Sequence, residues 1–357
     1  MVRKVLVIHP GAMGDLIQAL PAFERLRSYT GCDELTLLVG RPFASLARAW
    51  QLFDDIIDFD AATAYRGSLL ARGVLFGSLV RRLRREHFSA AAVFKASTAY
   101  SAIAFFSGAR NRVGLARGFG RTLLQVPLAI DPDENREDRF LRVAMALGAH
   151  GPSTRFACWP IDDSAGAMLA STTSRILIGV APGGARNVKE EMPQRRWPTE
   201  RYAELSARLL AAYAEAHVVV LGGAADQAEA ASLVERLPAT RVTNLAGRTS
   251  VFAARGIISG CQLFVTHDSG LLHVASTRTT PVVAIFGPTA PHVVCREGSN
   301  ISTVWHPAGP RPCHDEVTGK LSPCASSCCI ERCSVDEVFD RSCKALASTR
   351  EAVSPSA

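Results

Sequence analysis

The sequence predicts an α/β protein built from two doubly wound domains, and three observations carry that expectation. Short apolar runs of strand length alternate with helical patterns along almost the whole chain, the signature of a parallel sheet covered on both faces. The alternation breaks once, around residues 150–173, and then restarts. The chain has 357 residues, 48% hydrophobic and 20% charged, enough for about two domains with a core each. In the first half, apolar runs over 5–8, 35–39, 56–59 and 90–94 read as buried strands. Helices are expected over 16–28, 42–50, 68–85, 98–106 and 139–147. The first of them brings Leu16, Leu20, Phe23 and Leu26 near one face, and the last stops at Gly148. His150, Gly151, Pro152 and Ser153, with the polar stretch over 162–173, read as the linker. The expected domains are therefore 1–165 and 174–333, with a C-terminal helix and tail over 334–357. The second half repeats the pattern, with strands over 176–181, 217–221, 242–243, 263–266 and 282–286 and helices over 200–213, 226–236, 250–259 and 270–276. Residues 307–333 read as loop, and 335–347 as a last helix.

Composition narrows the function. Net charge is +7, which reads either as a mildly basic surface or as a basic face for an anionic partner. Aromatic content is 7% and no nucleic-acid reading motif is present, so nucleic acid is not an expected partner. Met1, Val2, Arg3 and Lys4 make a basic start, but the apolar run over 5–8 is far too short for a secretory leader. No run approaches the roughly 18 apolar residues of a membrane-spanning helix. A cytoplasmic protein with at most peripheral membrane contact is the expectation. Of ten cysteines, Cys32, Cys158, Cys261 and Cys295 are scattered, whereas six fall between Cys313 and Cys343. Cys324, Cys328, Cys329 and Cys333 have loose metal-ligand spacing, so a metal site competes there with reduced thiols.

In doubly wound sheets, ligands bind beyond the carboxyl ends of strands, so the loops after strands are the informative ones. The first is His9-Pro10-Gly11-Ala12-Met13-Gly14-Asp15. Gly11 and Gly14 allow a tight turn and close approach of a ligand. Asp15 is either a helix cap or a carboxylate that accepts a proton from an attacking hydroxyl. The glycine spacing is not the dinucleotide fingerprint. The second loop carries Gly183 and Gly184, which expose backbone N–H groups to an anion. Downstream, Arg195 and Arg196 are either surface residues or a clamp for a diphosphate. The third is His267-Asp268-Ser269-Gly270 with His273 beyond. A helix start there offers N–H groups to a phosphate, Asp268 suits sugar hydroxyls, and His273 is either a buried core histidine or a functional one. The fourth loop, Gly287-Pro288-Thr289, could line the same pocket. Asp54-Asp55 and Asp162-Asp163 look like solvated turns, and no Asp-x-Asp metal motif accompanies the loops.

Taken in order, these segments resemble glycosyltransferase family 9, the heptosyltransferase family. The matching residues are His9 through Asp15 with Leu20-Pro21-Ala22, then Pro182-Gly183-Gly184, Arg196-Trp197-Pro198 and Leu221-Gly222-Gly223. Leu245 through Ser250, Asp268-Ser269-Gly270 with His273, and Phe286 through Thr289 complete the set. The resemblance implies a GT-B fold with the active site in the cleft between the domains. It implies an inverting, metal-independent transfer of a heptose from ADP-heptose to a lipopolysaccharide core or other lipid-linked, anionic acceptor. No cofactor is implied, since the nucleotide sugar is a substrate. On the resemblance, Asp15 is the catalytic base and Asp268 binds the donor sugar. Ser269 and Gly270 lie at the diphosphate, and Arg195 stands where relatives carry a phosphate-contacting lysine. Asp226 and Thr249 fall near the ribose and adenine. Gly11, Met13, Gly14, Arg112 and Arg117 belong to the acceptor side, and the enzyme would sit on the cytoplasmic face of the inner membrane. Arginine at 195, histidine at 267 and Arg278-Thr279-Thr280 depart from the family pattern and bear on donor identity.

Other readings remain open: a family member using another nucleotide sugar for another surface glycan, a sugar-nucleotide epimerase of the same fold, or a silent sugar-nucleotide-binding protein. The helix over 68–85 combines Arg72, Arg81, Arg82, Arg84 and Arg85 with Leu69, Leu75, Phe76, Leu79 and Leu83. It reads either as a core-facing helix with a solvated basic side or as a surface for anionic lipid. Arg110, Arg112, Arg117 and Arg121 form a second basic group.

Overall fold

The structure, a computed structural model, describes residues 3–29, 31–152, 159–160, 162, 164–169, 176–186, 191–296, 300–309, 312–321 and 328–353. The chain forms two compact units. One holds Met1–Pro160 and the short stretch Glu316–Thr318; the other holds Ile161–Arg186, Glu191–Asp315 and Gly319–Ala357.

In the first unit the order is β1 (Lys4–Ile8), α1 (Met13–Ser28), β2 (Glu34–Gly40), α2 (Ala44–Ala49), β3 (Asp55–Phe59), α3 (Ala61–Arg66), α4 (Leu69–Arg85), β4 (Ala90–Val93), α5 (Thr98–Phe106), β5 (Asn111–Leu115), β6 (Val126–Leu128) and α6 (Arg136–Ala146). Among the described residues the strands make one six-stranded parallel sheet, ordered β3-β2-β1-β4-β5-β6. Val5, Leu6, Val7 and Ile8 are all buried, as a central strand covered on both faces must be. Leu6 and Ile8 share one apolar cluster with Ile57 and Val93, and with Leu79 and Leu83 of α4 and Ile103 of α5. On α4, Ser68 caps the start, accepting from the N–H of Ala71 at 3.2 Å. Leu69 does not join the apolar face with Leu79 and Leu83; it is 85% exposed.

The second unit runs α7 (Ser164–Leu169), β7 (Ile176–Ala181), α8 (Thr199–Ala212), β8 (Ala216–Val220), α9 (Gln227–Val234), β9 (Val242–Asn244), α10 (Val251–Gly260), β10 (Leu263–His267), α11 (Gly270–Ala275), β11 (Val282–Phe286), α12 (Pro291–Val294), β12 (Ile301–Trp305), the hairpin β13 (His314–Asp315) and β14 (Lys320–Leu321), α13 (Cys328–Glu331) and α14 (Val335–Val353). Its parallel sheet is ordered β12-β11-β10-β7-β8-β9. Counting each unit from its own first strand, both sheets have the order 3-2-1-4-5-6. That is the dinucleotide-fold order, in which the direction of winding reverses between the first and fourth strands. Trp197 and Tyr202 pack edge to face at 4.9 Å in the core of this unit. The Trp197 indole donates to the Cys333 carbonyl at 2.9 Å, tying α8 to the segment before α14.

Sequence patterning missed several elements. β5 carries Arg112 and Gly114, so it offers no apolar run. Gly114 has φ +155°, and a Cβ there would meet the backbone of Val93 on β4, which is why a side chain is excluded. β6 is three residues long and contains Pro127; as an edge strand it needs no N–H at that position. The stretch over 162–169 packs with the second unit: the Ser250 hydroxyl donates to Asp162 at 2.8 Å, and Ala165 is buried where α7 meets α10. The last helix runs on to Val353.

Candidate active site

In the first unit the winding reverses between β1 and β4, and the chain leaving each strand carries a charged residue. After β1, Gly11 adopts φ +103° and its N–H donates to His9 Nδ1 at 3.2 Å. The helix α1 then starts at Met13, with Gly14 and Asp15 in its first turn. The cap position is Ala12, so Asp15 is not the cap. Its carboxylate is about a fifth exposed (21%) and meets Lys95 Nζ at 3.2 Å, just past β4, and Arg136 Nη1 at 3.9 Å, at the start of α6. Burial opposes ionisation of Asp15, but Lys95 and Arg136 outweigh it and hold the carboxyl below its usual range. Asp15 is therefore an anion with one partly open side. Arg136 also clasps Glu316 through Nε at 3.0 Å and Nη2 at 2.5 Å, and Arg139 reaches the same carboxylate at 3.1 Å.

The two acceptor-side arginines fare differently. Arg112 lies near the amino end of β5, the opposite end of the sheet from the Asp15 loop. Its Nε and Nη1 donate to the carbonyls of Leu123 and Ala109 at 3.0 and 2.7 Å. It also sits 5.1 Å over the Phe105 ring. Arg112 therefore knits its own loop together and is not brought to Asp15. Arg117 follows β5 at the carboxyl end and is exposed, with Nη1 donating to the Val317 carbonyl at 2.9 Å.

In the second unit the winding reverses between β7 and β10, and the glycine-containing loops that follow its strands gather at the strand ends. Asp226 pins two of them. Its Oδ1 accepts from the N–H of Gly184 and its Oδ2 from the N–H of Gly223, both at 2.8 Å, while Arg186 Nη1 lies 2.7 Å from Oδ1. A Cβ on Gly183 would overlap the Asp226 side chain, and Gly184 has φ +100°, so glycine is required at both. Asp226 is thus committed to the loops themselves. Arg196 Nε donates to the Gly184 carbonyl at 2.8 Å, and its Nη2 to Glu191 at 2.5 Å.

Asp268, fully buried after β10, is held by Arg195 Nη2 at 2.5 Å and by the Thr289 hydroxyl at 2.5 Å. Ser269 occupies the cap position of α11 without a side-chain capping bond, and its hydroxyl lies 3.3 Å from that of Thr266. Gly270 opens α11, and His273 is buried within it. Thr249 is half-buried in the loop after β9, where the Gly247 N–H donates to the Gly222 carbonyl at 2.9 Å.

Sequence reasoning missed Lys95, Arg136, Arg186 and Glu229, which binds Arg186 at 2.6 Å. Lys95 had a usable signal, since it directly follows the strand that neighbours β1 in this strand order. Arg136 had none, because only the packing of α6 on α1 brings it to Asp15.

Two buried histidines sit beneath these loops. His9 is surrounded by Phe23, Phe94 and Phe140 with centroids 5.6–6.1 Å away, and burial lowers its pKa to about 4. His267 Nδ1 lies 3.0 Å from the Tyr202 hydroxyl, and burial lowers its pKa to about 3. Both stay neutral in the folded chain while the unfolded chain takes up protons below its ordinary histidine pKa of about 6.5. The unfolded state then binds more protons, so stability falls as pH falls from about 6.5 towards 4. The slope approaches about 2.7 kcal/mol per pH unit for two such groups. Urea unfolding across that range measures it, and His267→Gln is expected to reduce the slope by about half. A slope unchanged by that substitution removes His267 from the account.

Of the cysteine cluster, Cys324 and the Cys328 side chain lie outside the described residues. Cys333 is buried, with its thiol pushed up to about 12 by burial and its Sγ 3.7 Å from the Phe286 carbonyl. Cys329 Sγ accepts from the N–H of Ala308 at 3.3 Å. Among the described residues no group of three or more His, Cys, Asp or Glu is placed to hold a metal ion.

The fold and the loops at its two reversal points define an α/β protein of two doubly wound domains with charged, glycine-rich strand ends. The chain belongs to glycosyltransferase family 9 (heptosyltransferase), whose sequence model matches residues 76–321. It is accordingly a glycosyltransferase. Lipopolysaccharide heptosyltransferase 2 of Salmonella typhimurium is 28% identical over 310 residues, covering 81% of this chain and 84% of the relative. The Escherichia coli protein of the same name is 30% identical over 225 residues, 58% and 62% of the two chains. The solved structure of E. coli ADP-heptose LPS heptosyltransferase II matches with a TM-score of 0.72 at 20% identity, covering 97% of this chain and 99% of that one. E. coli heptosyltransferase WaaC with ADP-2-deoxy-2-fluoro heptose matches at 0.63 and 18%, covering 84% and 92%. At these identities the structural likeness speaks to the fold, the paired Rossmann-like domains of the GT-B class.

Proposed function

We propose that this glycosyltransferase moves a heptose from ADP-heptose onto a lipopolysaccharide core or similar lipid-linked acceptor, with inversion and without a divalent metal. The relatives' names motivate the donor and acceptor. The observation that carries the chemistry is an ionised Asp15 between Lys95 and Arg136 at the reversal point of the first sheet. In the displacement, an acceptor hydroxyl oxygen bonds to the anomeric carbon, its proton passes to Asp15, and the bond from that carbon to the diphosphate breaks. The charge that develops on the leaving diphosphate falls to the N–H groups of Gly183, Ser269 and Gly270 and to Arg195 and Arg196, while Gly184, its own N–H held by Asp226, shapes the loop. Asp268 and Thr289 serve the sugar hydroxyls, and His273, on the helix that follows Asp268, belongs to the same donor site. Thr249 serves the nucleoside, and Asp226 acts on it through the loops it pins. The first domain takes the acceptor through Gly11, Met13, Gly14 and Arg117, and the second takes the donor. The enzyme works peripherally at the cytoplasmic face of the inner membrane.

Thermal unfolding with a panel of nucleotide sugars tests this reading. ADP-heptose is expected to raise Tm in a concentration-dependent way, because it binds only the native state. Transfer to a heptose-deficient core oligosaccharide should then proceed at an undiminished rate in EDTA. Stabilisation by a different nucleotide sugar alone reassigns the donor, epimerisation of donor without acceptor makes the protein an isomerase, and stabilisation by none removes the reading.

A further inference from the structure

The first unit carries an apolar and basic surface that the transfer reaction leaves unused. On α4, the positions opposite the buried Leu79 and Leu83 run Leu70, Val74, Gly77, Arg81 and Arg85, at helical spacing. All five are exposed, and Leu69, Leu70 and Val74 are 85%, 79% and 65% exposed. Exposure of three large aliphatic side chains on one helix end is unusual for a face that meets only water. α5 and the turn after β5 add to it. Phe105, Phe106 and Phe119 are 42%, 44% and 69% exposed. Phe106 packs edge to face on Phe76 of α4 at 6.0 Å. The Tyr65 hydroxyl of α3 bonds that of Tyr100 on α5 at 3.0 Å, and Arg72 on α4 donates to the Tyr65 carbonyl at 2.5 Å. The three helices therefore form one fixed layer.

Its charge is one-sided. Between residues 61 and 130 the sequence has eleven Lys or Arg and one acidic residue, Glu86, although the whole chain is only +7. Six of these cations stand on α3 and α4, and the chain outside residues 61–130 is net acidic. On α4 the exposed Leu69, Leu70 and Val74 stand at one end and Arg81, Arg82, Arg84 and Arg85 at the other, with Arg82 3.8 Å from Asp55. Such an arrangement suits the boundary of an anionic bilayer: aliphatic tips enter the acyl region while guanidinium groups stay among phosphates.

We propose that the exposed face of α4, flanked by Phe105, Phe106 and Phe119, docks the enzyme on an anionic lipid bilayer. The inference deepens the peripheral location proposed above and names the surface that provides it. The test uses the full chain with vesicles of phosphatidylglycerol in phosphatidylcholine and with vesicles of phosphatidylcholine alone. The protein is expected to co-sediment with the anionic vesicles and to leave them as salt rises. Leu70→Ser and Val74→Ser are each expected to weaken that binding about tenfold. Arg81→Glu with Arg85→Glu should weaken it at least as much. Because these side chains are exposed, Tm is expected to stay unchanged, as is transfer to a soluble, lipid-free acceptor oligosaccharide. Loss of that soluble transfer in the parent protein would speak against the function and leave the surface standing. Failure of the parent protein to bind anionic vesicles overturns the inference, as does binding that survives all four substitutions. A dimer that Leu70→Ser dissociates, with no vesicle binding, also overturns it and assigns the face to a second copy of the chain.

Discussion

Replacing Asp15 with asparagine is expected to lower the transfer rate by about two to four orders of magnitude while leaving nucleotide-sugar binding intact. The substitution keeps the shape and removes only the proton acceptor. Asp15 lies in the first turn of α1 with one side open, and none of its carboxylate is spent on capping the helix. The cations that keep it ionised also make it a weak base, so the proton reaches it late, as the acceptor oxygen bonds to the sugar. Lys95 is the lever on this balance. Lys95→Met removes the nearest cation, so the Asp15 carboxyl rises towards its usual range and the acid limb of the rate profile moves to higher pH. Steady-state rates of Asp15→Asn with a fixed donor, beside donor affinity by calorimetry, are the measurement. Turnover within about tenfold of the parent would take the base role away from Asp15.

The largest effect on stability is expected from Arg195→Met. Asp268 is fully buried, and Arg195 at 2.5 Å is a cation that compensates it. Removing one member of a buried ion pair costs about 3–5 kcal/mol, because the remaining charge stays out of water. The second change Asp268→Asn, made in the Arg195→Met background, takes away that charge and is expected to recover much of the loss. The two substitutions should therefore be strongly non-additive in a double-mutant cycle. If Arg195 serves the donor phosphate alone, Arg195→Met will weaken donor binding with little change in unfolding free energy, and the pair's structural role disappears. Lysine at 195 keeps the charge but presents it as a point, so it is expected to restore stability only in part.

Both experiments rest on residues whose legibility differed. Asp15 and Asp268 stood out because each follows a buried apolar run and lies beside glycines, and a parallel sheet puts its ligands at that end of its strands. Arg195 could be named, but its partner could not. The sequence separates Arg195 from Asp268 by 73 positions, and only the neighbouring of β7 and β10 brings their loops together. Arg112 shows the opposite error. Its charge and its place among other arginines suggested a role at the acceptor, yet it falls at the amino end of β5 and spends its donors on nearby carbonyls. Composition cannot distinguish the two ends of a strand. Leu69 was named with Leu79 and Leu83 on one apolar helix, but the first turns of α4 project beyond the core that buries the later ones.

What the sequence determined by itself was the periodicity: which runs are strands, which are helices, and which loops follow strand ends. Local spacing of apolar side chains, glycine and caps is enough for that, since each depends on neighbours a few residues away. Which loops meet was decided by the strand order, and strand order depends on how helices pack across the sheet. Only tertiary packing therefore placed Lys95 and Arg136 around Asp15, turned Asp226 onto the glycine loops, and left Leu69 and Leu70 of α4 in solvent.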